Sequence, residues 1–144
     1  MTLVNNCNLP EDLYYVVEKH VWARPEGEFV TVGMTDVAQN MAKTIVAVTP
    51  KAAGATVKKG RNIATVESGK WVGAVSAPVS GEIVAVNDAL ATSPGLINSD
   101  PYGAGWVVRL RPSEWETDAA DLVTGPEGIE AYRRYLDAEG IACR

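Results

Sequence analysis

Few side chains in this sequence could bind a metal. Its 144 residues include one histidine and two cysteines, Cys7 and Cys143, which lie near opposite ends of the chain without a CxxC motif. A zinc site built from protein ligands needs about four nitrogen or sulfur donors. We therefore expect no metal site. The ends of a compact domain often lie close together, so a Cys7–Cys143 pair is geometrically possible. Because a reducing cytosol favours thiols, we expect two free thiols, with a redox role for the pair as the alternative.

The sequence also lacks a long apolar run and an excess of basic charge. No run reaches the roughly 18 apolar residues of a membrane span. The N-terminus has neither the basic nor the apolar region of a secretory signal. Thirteen basic and eighteen acidic residues give a net charge of −5, which disfavours nucleic acid or an anionic membrane as a partner. We expect a cytoplasmic monomer without membrane insertion.

Motifs for catalysis are missing as well. No serine and acid can be matched with His20 for nucleophilic catalysis, and residues 103–105 precede a strand rather than the helix of a phosphate-binding loop. His20 comes directly before the strand-like pair Val21 and Trp22, so we expect it to form a hydrogen bond at a strand edge. The sequence predicts a protein that is not an enzyme.

Short β-type runs separated by glycine and proline fill most of the chain. This pattern predicts a mainly β fold in a single domain over residues 1–144, with its core at about 13–112 and a helical extension at about 113–144. A short helix is expected after Thr35, with Val37 and Met41 on one face.

A second helix is predicted in the C-terminal extension. Pro126 follows Thr124 and Gly125 near its start, and Gly140 marks its end. Ile129, Tyr132 and Leu136 share one face at helical spacing, so we expect this helix to pack on the β core.

Lys70 lies between two of the β-type runs. Residues 63–66 precede it and residues 72–75 follow it, with Ser68 and Gly69 directly before the lysine. Strand, small polar tip and strand is the pattern of a β-hairpin. The pattern predicts that Lys70 projects into solvent, which alone indicates only a solvated turn residue.

A series of short motifs surrounds this hairpin between residues 20 and 112. They are His20-Val21-Trp22, Val32-Gly33-Met34-Thr35-Asp36-Val37-Ala38-Gln39, Gly54-Ala55-Thr56-Val57-Lys58-Lys59-Gly60, Val66-Glu67-Ser68-Gly69-Lys70, Ser76-Ala77-Pro78-Val79-Ser80-Gly81-Glu82-Ile83-Val84-Ala85-Val86-Asn87, Pro94-Gly95-Leu96-Ile97-Asn98 and Asp100-Pro101-Tyr102-Gly103-Ala104-Gly105-Trp106. Their order and spacing resemble the glycine-cleavage H-protein family, whose members are lipoyl carriers. The resemblance implies a barrel-sandwich hybrid fold with helical additions.

The resemblance also implies a cofactor and its attachment point. In that family, lipoic acid forms an amide with the lysine that follows Glu-Ser-x, which corresponds to Lys70. Glu67, Ser68 and Gly69 would then help a lipoate ligase or lipoyl transferase to recognise the tip. Trp71 would lie beside the lipoyl arm.

The departures from the family pattern concern the surface against which the arm lies. The family tip commonly reads Glu-Ser-Val-Lys-Ala with an acid shortly after it, whereas this chain has Gly69, Trp71 and Ala74. Val21 replaces the acid of the family's His-Glu-Trp, and Val37 occupies a position that is usually polar or aromatic. We expect an apolar groove, which suits a neutral or anionic sulfur cargo better than an ammonium. The alternative explanation is that these substitutions arose by sequence drift within the family and do not reflect a different cargo.

Three functions remain open on this basis. The first is the main prediction, because the chain resembles the H-protein-like lipoate-binding proteins of heterodisulfide-reductase-like sulfur oxidation: a lipoate-binding carrier of sulfur intermediates that docks on a heterodisulfide-reductase-like complex. The second is the aminomethyl carrier of glycine cleavage, with glycine decarboxylase, aminomethyltransferase and dihydrolipoamide dehydrogenase as partners. The third is an adaptor that retains the fold but carries no lipoyl group.

Overall fold

The computed structural model describes residues 2–144, which form short antiparallel strands and a few helices. The strands are β1 Thr2–Val4, β2 Cys7–Leu9, β3 Tyr14–Val16, β4 Val21–Glu26, β5 Phe29–Met34, β6 Ile45–Pro50, β7 Thr56–Val57, β8 Asn62–Ser68, β9 Trp71–Ser76, β10 Gly81–Val86, β11 Val108–Pro112 and β12 Val123–Thr124. The helices are α1 Asp36–Ala42, α2 Ala89–Thr92, α3 Leu96–Ser99, α4 Trp115–Ala119 and α5 Gly125–Glu139, with a 3₁₀ turn at Val17–Lys19. The prediction of a mainly β fold with an internal and a C-terminal helix is confirmed.

The strands form three open sheets. The largest has the order β12-β3-β4-β5-β11-β10-β7, the second has the order β6-β8-β9, and β1 pairs with β2 alone. Their paired strands are antiparallel. One apolar cluster includes inward-facing residues of both larger sheets, among them Ile63, Val66, Ile83 and Leu110. Burial of such side chains contributes about 1.5–3 kcal/mol each.

The β8–β9 hairpin has Lys70 at its tip, as the sequence predicts. Ser68 pairs with Trp71, so the turn contains only Gly69 and Lys70. Strand β6 pairs with the other edge of β8. The tip is therefore anchored directly to a three-stranded sheet rather than carried on a long loop.

Helix α1 begins where the sequence indicates. The Thr35 side chain accepts a hydrogen bond from the Ala38 amide at 3.3 Å, which satisfies one of the free donors at the helix start. Val37 and Met41 are four residues apart in α1 and therefore share one face of the helix, as expected. Their burial differs, because Val37 is fully buried whereas Met41 is 51% exposed.

Helix α5 covers a second apolar cluster. Gly140 ends the helix with φ 66°, a left-handed conformation that glycine adopts without steric cost. Ile129, Tyr132 and Leu136 are buried against residues of β1 to β4, which confirms the predicted packing face.

Trp22 belongs to the same cluster. Its indole Nε1 donates hydrogen bonds to the carbonyls of Met34 and Pro101, each at 3.0 Å. A Cβ at Gly33 would lie 2.5 Å from the indole ring. The glycine therefore provides the space that the buried tryptophan occupies.

Cys7 and Cys143 form a disulfide with a Cα–Cα distance of 5.0 Å. The expectation of two free thiols is thus wrong for this structure. The tail after α5 returns to the β1–β2 hairpin, where the Cys143 amide donates to the Asn5 carbonyl at 2.9 Å. Both cysteines are buried, with exposed fractions of 0% and 4%. The sequence separation of 136 residues conceals this proximity.

Candidate functional site

A groove of about 320 Å³ lies beside the Lys70 tip. This volume is at the lower end of the range of roughly 300–1,000 Å³ that small-molecule sites occupy. The tip and β9 contribute one wall, α1 contributes another, and the 3₁₀ turn with the start of β4 closes the end. The lining residues are Lys19, His20, Val21, Met34, Ala38, Met41, Ala42, Lys70, Trp71, Ala74 and Val75.

The groove walls are mainly aliphatic and aromatic. Val21 and Met34 are almost fully buried, whereas Trp71 is 43% exposed at the tip. Lys19 and Lys70 supply the ammonium groups, and within residues 2–144 no carboxylate lines the groove. An ammonium transferred into such surroundings would lose its hydrating water without gaining an opposite charge. An aliphatic chain has no charge to desolvate, and an anion would meet the ammonium groups of Lys19 and Lys70.

His20 contributes the other polar group of the groove. It follows the 3₁₀ turn with φ 56°, and its amide donates to the Val17 carbonyl at 3.2 Å. Its Nδ1 lies 2.5 Å from the Tyr132 hydroxyl of α5, and the two rings are stacked with centroids 5.7 Å apart. Burial lowers the pKa of His20, and the opposing charge of Glu18 offsets part of that effect. The expected hydrogen bond at a strand edge is made by the His20 carbonyl, which accepts from the Thr35 amide at 3.0 Å next to the β4–β5 pair, and the side chain bonds in addition to α5.

The structure brings together most of the residues that the sequence predicts for the groove. Val21, Trp71 and Ala74 line it together with Lys70. Val37 does not, because its side chain is buried in the second apolar cluster with Trp22. That part of the groove prediction is wrong.

The residues before Lys70 shape the tip rather than the groove. Glu67 is exposed, and Ser68 is 8% exposed with its hydroxyl 3.5 Å from the Trp71 carbonyl. Gly69 borders a shallow recess on the other side of the tip, next to Val46 of β6. Recognition of these three residues by a lipoylating enzyme stays a prediction.

Several groove residues were not identified by sequence reasoning. Met34, Ala38, Ala42 and Val75 look like ordinary core positions of their strands and helix, and they reach the groove only because the tip packs near α1. Lys19 lines the groove as well, and no motif in the sequence marks it. The i,i+3 pair Tyr132 and Tyr135 on α5 could have indicated an aromatic partner for the histidine.

The fold and the site together define a class of protein. An exposed lysine on a two-residue turn, rooted in a sheet and adjoining an apolar groove, is the arrangement of a carrier domain for a covalently attached group. The groove and Lys70 fit an aliphatic arm linked to the lysine, because the walls beside the lysine are mainly apolar.

Comparison with known proteins identifies the family. Residues 13–136 match the Glycine cleavage H-protein family, and this chain belongs to it. The chain is 44% identical to glycine cleavage system H protein 5 of Aquifex aeolicus, with 99% of both chains covered. It is 47% identical to a glycine cleavage system H protein of Thermus thermophilus, covering 92% of this chain and 98% of the relative.

A solved structure supports the same assignment. The crystal structure of a glycine cleavage system H protein from Mycobacterium marinum superimposes with a TM-score of 0.76 at 34% identity, covering 92% of this chain and all of the other. Members of the family are lipoyl carriers rather than enzymes, and their cofactor is lipoic acid bound covalently to a lysine. No helix in residues 2–144 has both the length and the apolar character to cross a membrane.

Proposed function

We propose that Lys70 is the lipoylated lysine of this chain and that the lipoyl arm passes an intermediate between partner enzymes. The observation that carries this proposal is the position of Lys70, which is exposed on the tip of β8–β9 and also lines the apolar groove. Anchoring the arm to a sheet raises its effective concentration at each partner site. No catalytic group is then required on the carrier.

The first candidate for the cargo is the aminomethyl group of glycine cleavage. The names of the relatives support this candidate. In that case the partners are glycine decarboxylase, aminomethyltransferase and dihydrolipoamide dehydrogenase, together with the lipoate ligase or lipoyl transferase that attaches the arm.

The second candidate is a sulfur species delivered to a heterodisulfide-reductase-like complex. The groove favours it, because Val21 and Ala74 provide no carboxylate to hold an ammonium on the arm. In addition, Aquifex aeolicus has H proteins numbered 2, 3 and 5 that are 43–45% identical to this chain. One organism therefore holds several proteins that carry this family name.

Intact-mass measurement tests the lipoyl proposal. Protein isolated from its native host should show the mass increase of one lipoyl group, and peptide mapping should place it on Lys70. A chain that is fully unmodified in a host that lipoylates its other carriers would contradict the proposal. That result would instead support the unlipoylated adaptor.

Glycine–bicarbonate exchange with purified partner enzymes separates the two cargo candidates. Exchange at the level of an established H protein supports the aminomethyl cargo. Exchange at background level, with Lys70 fully lipoylated, supports the sulfur cargo.

Ala74→Asp provides a matched test of the groove. Position 74 is exposed on β9, so the carboxylate can enter without a large folding cost. An exposed ion pair contributes up to about 1 kcal/mol, which corresponds to a roughly fivefold increase in exchange for an ammonium-bearing arm. Ala74→Asn supplies similar volume without the charge and should leave exchange unchanged. Equal exchange by both variants and the parent would contradict the assigned role of the missing carboxylate.

A further inference from the structure

His20 has a nitrogen that neither the fold nor the proposed attachment site uses. Its Nδ1 is engaged by Tyr132, but its Nε2 has no hydrogen-bond partner among the described residues. Residues 2–144 contain no buried side-chain nitrogen or oxygen without a hydrogen-bond partner. Since Nε2 has no partner, it is accessible to solvent. His20 is also one of the residues that line the groove beside Lys70.

The contacts of Tyr132 permit an arrangement in which Nε2 holds the ring proton, and the proposal uses this arrangement. The Tyr132 hydroxyl lies 3.0 Å from the Thr35 hydroxyl, which in turn accepts from the Ala38 amide. Thr35 can donate its own proton to Tyr132, and the phenol then donates to His20 Nδ1. Burial raises the pKa of Tyr132, so the phenol retains this proton. With Nδ1 acting as acceptor, the neutral ring carries its proton on Nε2.

The charges around the ring leave the imidazole neutral. Tyr132 and Tyr135 of α5 face it with uncharged rings. Glu18 and Lys19 are its neighbours on the 3₁₀ turn, and Lys70 lies across the groove. Burial disfavours the imidazolium, and lipoylation would remove the charge of Lys70. A neutral ring is therefore a hydrogen-bond donor to the groove near pH 7.

We propose that the His20 Nε2–H group donates a hydrogen bond to a sulfur of the reduced lipoyl arm and stabilises its thiolate. This inference rests on the proposed lipoylation of Lys70 and applies to either cargo, because both require a sulfur nucleophile. The S–H proton leaves to solvent, the electron pair stays on sulfur, and no group is oxidised or reduced. The hydroxyls of Thr35 and Tyr132 act indirectly by fixing the orientation and tautomer of the ring.

The pH dependence of thiol alkylation tests this role. The full-length lipoylated chain is reduced, and its reaction with iodoacetamide is followed from pH 6 to 10, where the thiolate is the reactive form. His20→Asn keeps a side chain that tolerates positive φ and can still contact Tyr132, but it has no Nε2. A hydrogen bond to a charged group is strong enough to change the thiolate fraction by about tenfold. We expect His20→Asn to raise the apparent pKa of the thiol and to slow alkylation at pH 7 by roughly three- to tenfold.

Lys19→Gln serves as the charge control for the same assay. It removes the neighbouring ammonium but leaves His20 and Tyr132 in place, so its profile measures the contribution of charge alone. We expect Lys19→Gln to displace the pH profile of alkylation less than His20→Asn does. Superimposable profiles of the parent and His20→Asn, with equal lipoylation and unchanged melting temperature, would overturn the inference.

NMR gives a readout that does not depend on the arm. His20 is the only histidine in the sequence, so the ¹⁵N–¹H correlations of the imidazole are unambiguous in a Lys70→Arg chain. We expect the Nε2–H tautomer at pH 7, and we expect Tyr132→Phe to shift the tautomer ratio. An Nδ1–H tautomer in the parent would overturn the proposal. Absence of lipoyl on Lys70 in intact-mass data would instead overturn the proposed function while leaving the tautomer result intact.

Discussion

Lys70→Arg is expected to abolish the lipoyl mass increase and with it all carrier activity. Arginine keeps the positive charge at the tip but has no amine that can form the amide with lipoic acid. The side chain projects from a two-residue turn, so the free energy of unfolding should change by less than about 0.5 kcal/mol. Intact mass measures lipoylation, a carrier assay measures activity, and urea unfolding measures the free energy of unfolding.

Lys58→Arg is the matched control for this substitution. Lys58 is also exposed, but it lies outside the groove and the tip, so the variant should be lipoylated and active like the parent. A lipoyl group that persists in Lys70→Arg, for example on Lys19, would contradict the assignment of the attachment site. Loss of stability in Lys70→Arg would contradict the inference that the lysine contacts little of its own fold.

Removal of the Cys7–Cys143 disulfide is expected to have the largest effect on stability. The bond joins residues that are 136 apart in sequence. In the chain-entropy model, a cross-link across a loop of this length stabilises the folded state by about 5 kcal/mol. The double variant Cys7→Ala, Cys143→Ala should therefore unfold at a lower urea concentration by a corresponding amount. Alanine is preferred to serine because both sites are buried, and a buried serine hydroxyl would lack a hydrogen-bond partner.

Reductant provides the control for the disulfide prediction. A thiol or phosphine reductant present during unfolding should lower the urea midpoint of the parent towards that of the double alanine variant, and it should leave the variant itself unchanged. If the parent midpoint is the same with and without reductant, the bond is absent in solution or contributes nothing. Mass analysis after alkylation of free thiols distinguishes these two explanations.

Local sequence signals predicted a large part of this fold. The start of α5 follows from Pro126, and its end follows from Gly140, since both residues act through their own backbone conformation. The hairpin at Lys70 follows from alternating β-type residues on both sides of a small polar tip. Such features depend on neighbours within a few residues, which a single sequence displays directly.

The wrong predictions concern contacts between distant parts of the chain. Val37 was assigned to the groove from its place in a motif, but the packing of α1 directs it to the second cluster. The side-chain partner of His20, a hydroxyl on α5 that lies 112 residues further along the chain, was also not predicted. The disulfide likewise depends on the return of the C-terminal tail to β2. None of these pairings leaves a periodic signal in the sequence.

The two-residue turn at the hairpin tip has a consequence for how partner enzymes meet the carrier. Ser68 and Trp71 are paired across the sheet immediately before and after the turn, so the Cα of Lys70 lies within two residues of a paired strand on either side. The volume that an attached group explores is then set by the reach of the lysine and its extension, not by motion of the backbone. Each partner must therefore bring its active site within one arm length of the same point. With the proposed attachment at Lys70, we expect partner enzymes to compete for one approach to the tip and to act on it in turn.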